Sequence, residues 1–379
     1  MKTAICILVI LAAIPCRART ITVDDDAPAD FNNIQAAIDD ANDGDTVVVR
    51  AGLYYGPVEF SGKDIRLTSD NPDNSEIVRS TVIVEDSFRH YPAVIFRGDE
   101  TPACIITGFK IKGSLATLDS RDAMPKQANT HATIVSCLVE PGGCGSAILD
   151  CSGTISNSII VQTPIFDCCA LEYPALLRCH GTIKNCTIVG GALEFWDSAV
   201  ICSSIIYTDC SDHKQIVLRN AGTLDISYSH LTNGPGAIQV TDSNGAVNWG
   251  PGNETADPCF VQVGYWLWIY PDPIYREGDY HLKSQAGRWD PTEEGWTTDD
   301  VTSPCIDVGD PMAPIGQEPF PNGGRINMGA YGGTEEASKS YFAKPPCETI
   351  MAGDINGDCE VDFDDFRLMA LHWCEDNNP

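Results

Sequence analysis

The sequence predicts an all-β solenoid, in which short parallel strands stack coil on coil, followed by a small acidic module. Two observations lead to this prediction. β-Branched segments return about every 24 residues between residues 105 and 227, and oxygen-bearing side chains occupy alternate positions after residue 353. Because no single repeat is long enough to bury a core, the repeats must stack on one another to be stable.

Composition limits the partners that the chain can bind. The chain carries 53 acidic and 24 basic residues, a formal net charge of -29. Nucleic acid and anionic lipid would repel such a chain, whereas calcium, cationic partners and neutral or calcium-bridged polysaccharides are compatible with it. Because 43% of the residues are hydrophobic, the chain can bury a large core, which a disordered composition cannot do.

The N-terminal residues predict export. Lys2 precedes an apolar run at 4–14 and small residues follow, so residues 1–18 read as a secretory signal peptide. The run is too short to span a bilayer, and Pro15 disfavours lipid attachment at Cys16. We therefore expect a secreted protein, extracellular or at the cell surface. Removing the peptide takes two of the 17 cysteines and leaves an odd number, so at least one is unpaired.

A capping helix is predicted ahead of the repeats. Apolar residues from Phe31 to Ala41 recur at helical spacing, and Asp30 is placed to cap the first turn. Short strands follow at 46–49, 52–54 and 63–67. A helix in this place would cover the open apolar end of the stack, which otherwise exposes core and strand edges.

The repeats align position by position. The aligned segments begin at Ile105, Thr133, Thr154, Thr182, Val200 and Thr223. One apolar position should form an interior column of Ile134, Ile155, Ile183 and Ile201. The position two residues later should form a column at a turn, with its amides bonded along the stack: Ser136, Asn157, Asn185 and Ser203. Where spacing reaches 28 residues, loops must project outward, and such loops can build a site.

Cysteines recur within these repeats. Stacked coils lie about 4.8 Å apart, a spacing that suits either buried thiols or disulfide bridges. Both alternatives stay open for four of them: Cys137, Cys151, Cys179 and Cys186.

Both ends of the repeat region resemble a known group. Residues 21–54, the segment SPCIDVGDP at 303–311 and the segment GRINMGAYGG at 324–333 are similar to secreted right-handed parallel β-helix proteins. That group includes pectate lyases, pectin methylesterases and polygalacturonases. The resemblance implies one right-handed parallel β-helix domain at 19–338, followed by a linker at 339–348. These motifs specify fold better than reaction.

The acidic module has the spacing of a calcium-binding loop. Side-chain oxygens at loop positions 1, 3, 5, 9 and 12, with a main-chain carbonyl at 7, are the EF-hand arrangement. The predicted ligands are Asp354, Asn356, Asp358, Glu360 through its carbonyl, Asp362 and Asp365. An amphipathic helix should follow, with Phe366, Met369, Ala370 and Trp373 on its apolar side.

This pattern resembles one repeat of a type I dockerin. The resemblance implies that residues 349–379 form a calcium-dependent module that can bind a cohesin-like scaffold domain through residues 349–374. The chain departs from the dockerin pattern in having Cys359 where glycine is usual and a single repeat. One pair among Cys347, Cys359 and Cys374 is expected to form a disulfide bond that stabilises so small a module.

Catalytic groups are weakly indicated. The motifs of polygalacturonases and the signature of pectin methylesterases are missing from the sequence, and β-helix enzymes need paired carboxylates or calcium carboxylates with a base. Loop-bearing coils supply the candidates Asp167, Glu172, Arg178, His180, Glu194, Asp197, Asp209 and Asp212. A solvated outer face is the alternative.

Aromatic residues crowd between Trp249 and Trp296. They either plug the last coil or, if exposed as a row, bind glycan. Two functions therefore remain open. One is a secreted protein that binds or processes polysaccharide, as a lyase or hydrolase if it is an enzyme; the other is a non-catalytic adhesin or structural protein of the cell surface.

Overall fold

The computed structural model describes residues 18–85, 92–117, 130–140, 146–162, 174–208, 214–267, 274–341, 353 and 361–371. The chain folds as a right-handed parallel β-helix, as the sequence predicts. Each coil contributes one strand to each of three faces, and every pairing between successive coils is parallel. The hydrophobic core fills the space that the faces enclose.

The strands divide among the faces as follows. Face one contains Thr20–Val23, Thr46–Val49, Arg66–Ser69, Ile105–Thr107, Thr133–Val135, Thr154–Ser156, Thr223–Ser227 and Ala246–Trp249. Face two contains Gly52–Tyr55, Thr81–Val84, Lys110–Lys112, Leu138–Glu140, Ile159–Gln162, Thr187–Gly190, Ile205–Tyr207 and His230–Leu231. Face three contains Val58–Glu59, Val94–Phe96, Leu115–Thr117, Ile148–Leu149, Ile216–Leu218 and Ile238–Val240.

Two long strands join face three to face one. Leu176–Lys184 and Leu193–Cys202 pair with face-three strands at their starts and with face-one strands at their ends. The pairing between the two strands shifts register around Cys179, where the chain turns the corner.

The predicted register is confirmed for five of the six aligned segments. Thr133 pairs with Ile105 and Thr154, and Thr182 pairs with Thr154 and Val200. The sixth alignment is wrong by two residues, because Val200 pairs with Asp225 rather than Thr223. The strand Thr223–Ser227 begins one residue before the part that pairs with its neighbour, since Leu224 pairs with Ala199.

Both predicted columns exist. The isoleucine column is buried, with no member more than 3% exposed: Ile134, Ile155, Ile183 and Ile201. The turn column adopts the left-handed conformation, with φ between 45° and 50°: Ser136, Asn157, Asn185 and Ser203. Few residues tolerate this conformation, and asparagine is among the best.

The amides of this turn column bind a different partner from the one expected. Asn157 Nδ2 donates to the carbonyl oxygens of Ala330 at 3.2 Å and Gly332 at 2.9 Å, and Asn185 Nδ2 also approaches Gly332 O. The column therefore anchors a distant part of the chain.

Helices occupy the edges of the fold. The capping helix α1, Ile34–Asp40, buries Ile34, Ala37 and Ile38 as predicted. Its N-cap is Asn33, whose side chain accepts from Ala36 N, and not Asp30. Asp30 instead accepts from the amide and hydroxyl of Thr22, because the helix starts later than the spacing suggested. Helix α2, Ser75–Ser80, and a 3-10 turn, Pro235–Ala237, lie between strands. Helix α3, Phe363–Leu371, begins at the end of the predicted calcium-binding loop at 354–365, which we call the acidic loop.

Residues 256–267 and 274–341, which we call the C-terminal segment, fold back along face two. Its strands form three antiparallel pairs: Phe260–Gln262 with Asp279–Leu282, Tyr265–Leu267 with Ile274–Arg276, and Arg288–Asp290 with Gly295–Thr297. Phe260, Tyr280, Met328 and other apolar residues of the segment pack on outward-facing residues of face two such as Ile159 and Val189. The outer side of face two is therefore covered by the chain itself along these coils.

The aromatic cluster is divided by this arrangement. Trp249 packs against the core at the last coil, as the plug interpretation expects. Tyr280 and Tyr275 pack instead between the C-terminal segment and face two, whereas Tyr265 and Trp296 are 47% and 40% exposed. Trp268 and Tyr270 lie outside the described residues.

Cysteines within the described coils pack as thiols. Cys137, Cys151, Cys179 and Cys186 are free and buried, and burial raises the pKa of each thiol. Three of them place Sγ within 3.6 Å of a main-chain carbonyl oxygen of their own or the preceding coil. Across the described part of the chain, we find no helix with the length and apolar character needed to cross a membrane.

Candidate functional site

Polar side chains line the corner where face three passes into face one. Asp150, Arg178 and Trp196 lie on successive coils at this corner, and Arg219 lies on the next. We call the group Asp150, Arg178, His180, Glu194, Trp196 and Arg219 the ledge. Alternation along the strand Leu193–Cys202 creates it, because Leu193 and Phe195 point into the core while Glu194 and Trp196 point outward.

The ledge begins with an ion pair. Arg178 Nε and Nη2 each donate to one carboxylate oxygen of Asp150 at 2.7 Å. Both residues have positive φ, 54° for Arg178 and 55° for Asp150, because the chain turns the corner here. A bidentate pair of this kind fixes the guanidinium plane, so the conformation is preorganised.

Trp196 is held in place by its neighbours. Its indole Nε1 donates to Glu194 Oε1 at 2.6 Å, and Arg219 Nη2 donates to Glu194 Oε2 at 2.8 Å. The guanidinium of Arg178 lies 5.9 Å from the indole centroid. The ring stays 38% exposed. Three side chains thus orient an accessible aromatic ring on a strand of the β-helix.

The protonation states of Glu194 and His180 in the ledge do not fit glycoside hydrolysis. Burial alone would raise the pKa of Glu194, but the hydrogen bonds from Arg219 and Trp196 outweigh it and lower that pKa. Burial lowers the pKa of His180, so its imidazole is neutral at pH 7. Glycoside hydrolysis needs one carboxylic acid held protonated beside a second, ionised carboxylate. Glu194 is not such an acid, and both carboxylate oxygens of Asp150 accept hydrogen bonds from Arg178.

The structure describes four of the eight catalytic candidates predicted from the sequence. Arg178, His180, Glu194 and Asp197 are brought together on the two long strands of the corner. The other four, Asp167, Glu172, Asp209 and Asp212, lie outside the described residues. Sequence reasoning missed Asp150, Trp196 and Arg219. The outward position of Trp196 between Phe195 and Asp197 was the available signal.

The predicted calcium loop is described only in part. Asp354, Asn356, Asp358 and Glu360 lie outside the described residues. Asp362 is exposed, and Asp365, which is 2% exposed, accepts from the backbone N–H of Asp362 at 2.7 Å. The helix predicted after the loop is present, and Phe366 and Met369 on it are 55% and 41% exposed.

A buried charged cluster fastens the C-terminal segment. His281, fully buried, places Nδ1 2.6 Å from Asp279 Oδ1 and Nε2 3.2 Å from Glu336 Oε2, and its ring stacks on Tyr331 at 3.7 Å. We call Asp279, His281 and Glu336 the clasp. Burial would lower the pKa of His281, but its two carboxylate partners reverse the effect and raise it. Glu336 also accepts from Ser75 N of helix α2, so the clasp ties the segment to the β-helix.

A small cavity lies beside the clasp. Its volume is about 60 Å³, and Arg79, Asn157, Tyr331 and Glu336 are among its lining residues. Pockets for small organic ligands usually measure about 300–1,000 Å³. This cavity is therefore of a size for several water molecules and not for a sugar ring.

Comparisons with known proteins leave the function open. A family described as "Disaggregatase related" matches residues 256–309, within the C-terminal segment. No curated protein sequence matches the chain.

Solved structures that resemble the chain include a pectin methylesterase from carrot, with 14% identity over 62% of this chain and 83% of the other, at a TM-score of 0.38. A pectin methylesterase in complex with a hexasaccharide has 11% identity over 68% and 85%, at 0.37. The pectate lyase Pel9A has 13% identity over 82% and 96%, at 0.34. TM-scores this low carry no inference about substrate or mechanism.

Proposed function

We propose that the protein is a secreted β-helix protein that binds polysaccharide at the ledge and joins an extracellular or cell-surface assembly through a calcium-dependent tail. The observation that carries the proposal is the exposed indole of Trp196, oriented by Glu194 and flanked by Arg178 and Arg219. An aromatic ring offers a flat apolar surface to a sugar face, while guanidinium groups donate to hydroxyl or carboxylate oxygens.

Binding fits the ledge better than hydrolysis does. The side chains that surround Trp196 are already oriented, so little side-chain entropy is lost when a glycan binds. The ionised state of Glu194 and the pairing of Asp150 with Arg178 leave the described ledge without a protonated acid. Processing of polysaccharide would therefore need acids from outside the ledge, such as Asp197, Asp167 or Asp212.

The tail is proposed to supply attachment. Asp354, Asn356, Asp358, Glu360, Asp362 and Asp365 present hard oxygen donors at the spacing that calcium takes. The metal would hold these carboxylates together and so fix the start of helix α3. Phe363, Phe366 and Met369 leave apolar surface exposed on that helix, which suits a protein partner such as a cohesin-like scaffold domain.

The test is a binding assay on acidic and neutral polysaccharides, with product analysis for reducing ends and unsaturated sugars. We expect Trp196→Ala to weaken binding of the best polysaccharide at least tenfold. Trp296→Ala is the matched control, because Trp296 is equally exposed but lies on the antiparallel pair Arg288–Asp290 and Gly295–Thr297. Equal affinity of the wild type and Trp196→Ala would show that the ledge is not the polysaccharide-binding site. Formation of reducing ends or unsaturated sugars would show that the protein is an enzyme.

A further inference from the structure

The C-terminal segment closes around a buried carboxylate, Glu318. This side chain is 7% exposed, and its Oε1 accepts from the backbone N–H groups of Asn327 at 2.7 Å and Gly333 at 2.9 Å. Its second oxygen, Oε2, is buried and has no hydrogen-bond donor. Burial raises the pKa of Glu318 to about 8, so in the absence of a cation beside Oε2 the carboxyl group holds a proton at pH 7, and a cation that binds there would displace it.

A second carboxylate, Asp307, lies beside it. Asn327 connects the two, since its amide N–H binds Glu318 and its side-chain oxygen accepts from Asp307 N at 2.8 Å. Asp307 Oδ1 accepts from Gly323 N at 3.1 Å. The main chain packs so closely here that a Cβ atom on Gly323 would lie 2.2 Å from Asp307 Oδ2. The charge on Asp307 also acts on Glu318, so the two carboxylates repel each other.

Ser340 supplies a third buried oxygen. The residue is 4% exposed, and its Oγ lies against the carboxylate of Asp307 without forming a well-aligned hydrogen bond. Its backbone N–H donates to Pro321 O at 3.0 Å, which fixes it in this loop. The carboxylates and the hydroxyl thus bring hard oxygen atoms together in a buried place.

The nearest cationic side chain, Arg325, has other partners. Its Nε and Nη2 donate to the carbonyl oxygens of Gly309 at 2.5 Å and Val308 at 2.9 Å. Its guanidinium carbon also lies 5.2 Å from the ring centroid of Tyr228. Arg325 is therefore engaged by main-chain carbonyl groups, and its charge acts on Asp307 only at a distance.

We propose that Asp307, Glu318 and Ser340 bind a calcium ion that holds the loops of the C-terminal segment together. Calcium takes six to eight oxygen ligands in adaptable geometry, so backbone carbonyls or water can complete the shell. Magnesium demands a strict octahedron and keeps its own water, which suits a closely packed loop less well. This site is separate from the acidic loop at 354–365.

Calorimetric titration of the full chain with calcium chloride tests the proposal. The background variant Asp354→Ala/Asp358→Ala removes ligands of the acidic loop. In that background we expect one calcium ion per chain to bind, and adding Glu318→Gln or Asp307→Asn to abolish this binding. Glu335→Gln, at an exposed acid near the clasp, should keep it. A background variant that binds no calcium would overturn the proposal.

Thermal unfolding with and without calcium distinguishes a calcium ion bound by Asp307 and Glu318 from a proton shared between them. Gln at position 318 keeps the acceptor for Asn327 and Gly333 but loses the charge. With saturating calcium we expect Glu318→Gln to unfold several degrees below the wild type, and with chelator to unfold at the same or a higher temperature. If Glu318→Gln raises the unfolding temperature both with calcium and with chelator, Asp307 and Glu318 share a proton. If it lowers the unfolding temperature equally in both, Glu318 stabilises the loop without a metal ion. Either result refutes the calcium site.

Discussion

Replacing His281 with phenylalanine tests how the C-terminal segment is fastened. Phenylalanine keeps an aromatic ring that can stack on Tyr331 but removes both nitrogen atoms that bind Asp279 and Glu336. The two carboxylates then face each other without the imidazolium between them. Removing one partner of a buried ion pair typically destabilises a protein by about 3–5 kcal/mol.

The structure places the expected loss at the lower end of that range. The side chain of Asp279 is 24% exposed and that of Glu336 is 12% exposed, so solvent screens part of their repulsion. We therefore expect the free energy of unfolding to fall by about 3 kcal/mol at pH 6. In a thermal unfolding experiment on a chain of this length, this corresponds to a decrease of roughly 3–6 °C.

The loss should depend on pH in a defined direction. The pKa of His281 is raised in the folded protein, so its stabilisation is complete below about pH 6.5 and is lost as pH rises through the folded pKa. The pKa values of Asp279 and Glu336 are lowered, because the imidazole partner outweighs their burial; their stabilisation is present above about pH 4.5 and is lost as pH falls. The difference between wild type and variant should therefore be largest at about pH 5–6.5.

The assay is thermal unfolding from pH 3 to 9, with hydrogen exchange on the C-terminal segment. The control adds Asp279→Asn and Glu336→Gln to His281→Phe. Because these changes remove the repulsion between the two carboxylates, they should recover most of the lost stability. A loss below 1 kcal/mol, or a loss that does not change with pH, would refute the reasoning.

Three further predictions concern other parts of the chain. Ile155→Ala should lower the free energy of unfolding by about 2–5 kcal/mol, measured by denaturant titration, whereas Val200→Ala, at an exposed position, should change it by less than about 0.5 kcal/mol; similar losses would contradict the interior column. Asn157→Ala should cost about 1 kcal/mol more than Asn157→Gly, because only alanine opposes the left-handed backbone; equal losses in the same titration would assign the whole effect to the side-chain amide. Asp354→Ala or chelator should increase hydrogen exchange at 363–371 and leave the coils protected; unchanged exchange would argue against the calcium loop.

The capping helix and the coils illustrate what local sequence can predict. Phe31, Ile34 and Ile38 recur with helical spacing, and the isoleucine column recurs with the length of one coil. Both signals depend on residues that are close in sequence or repeat in register. The predicted cap and the last register were wrong, because the helix begins at Ile34 with Asn33 as its N-cap and because Val200 pairs with Asp225.

The placement of the C-terminal segment depended on contacts between residues far apart in the chain. Asn157 was expected to bond within its own column, yet its amide binds the carbonyls of Ala330 and Gly332. Composition alone does not reveal which face a non-repeating segment will cover, because that is decided by complementary shape and by hydrogen bonds with no period. The sequence therefore offered only a plug of the last coil or an exposed glycan-binding row for the aromatic residues, whereas Tyr280 packs against the side of the stack.

The candidate sites divide in the same way. The sequence by itself was enough to predict the donor set of the acidic loop, because EF-hand ligands follow one another at fixed spacing within a dozen residues. Only the tertiary structure decided that Trp196 is exposed beside Arg178 and Arg219, and that Glu318 is buried beside Asp307. These pairs come from different coils or loops. Their proximity follows from how the chain turns each corner and folds back on itself, which no local pattern encodes.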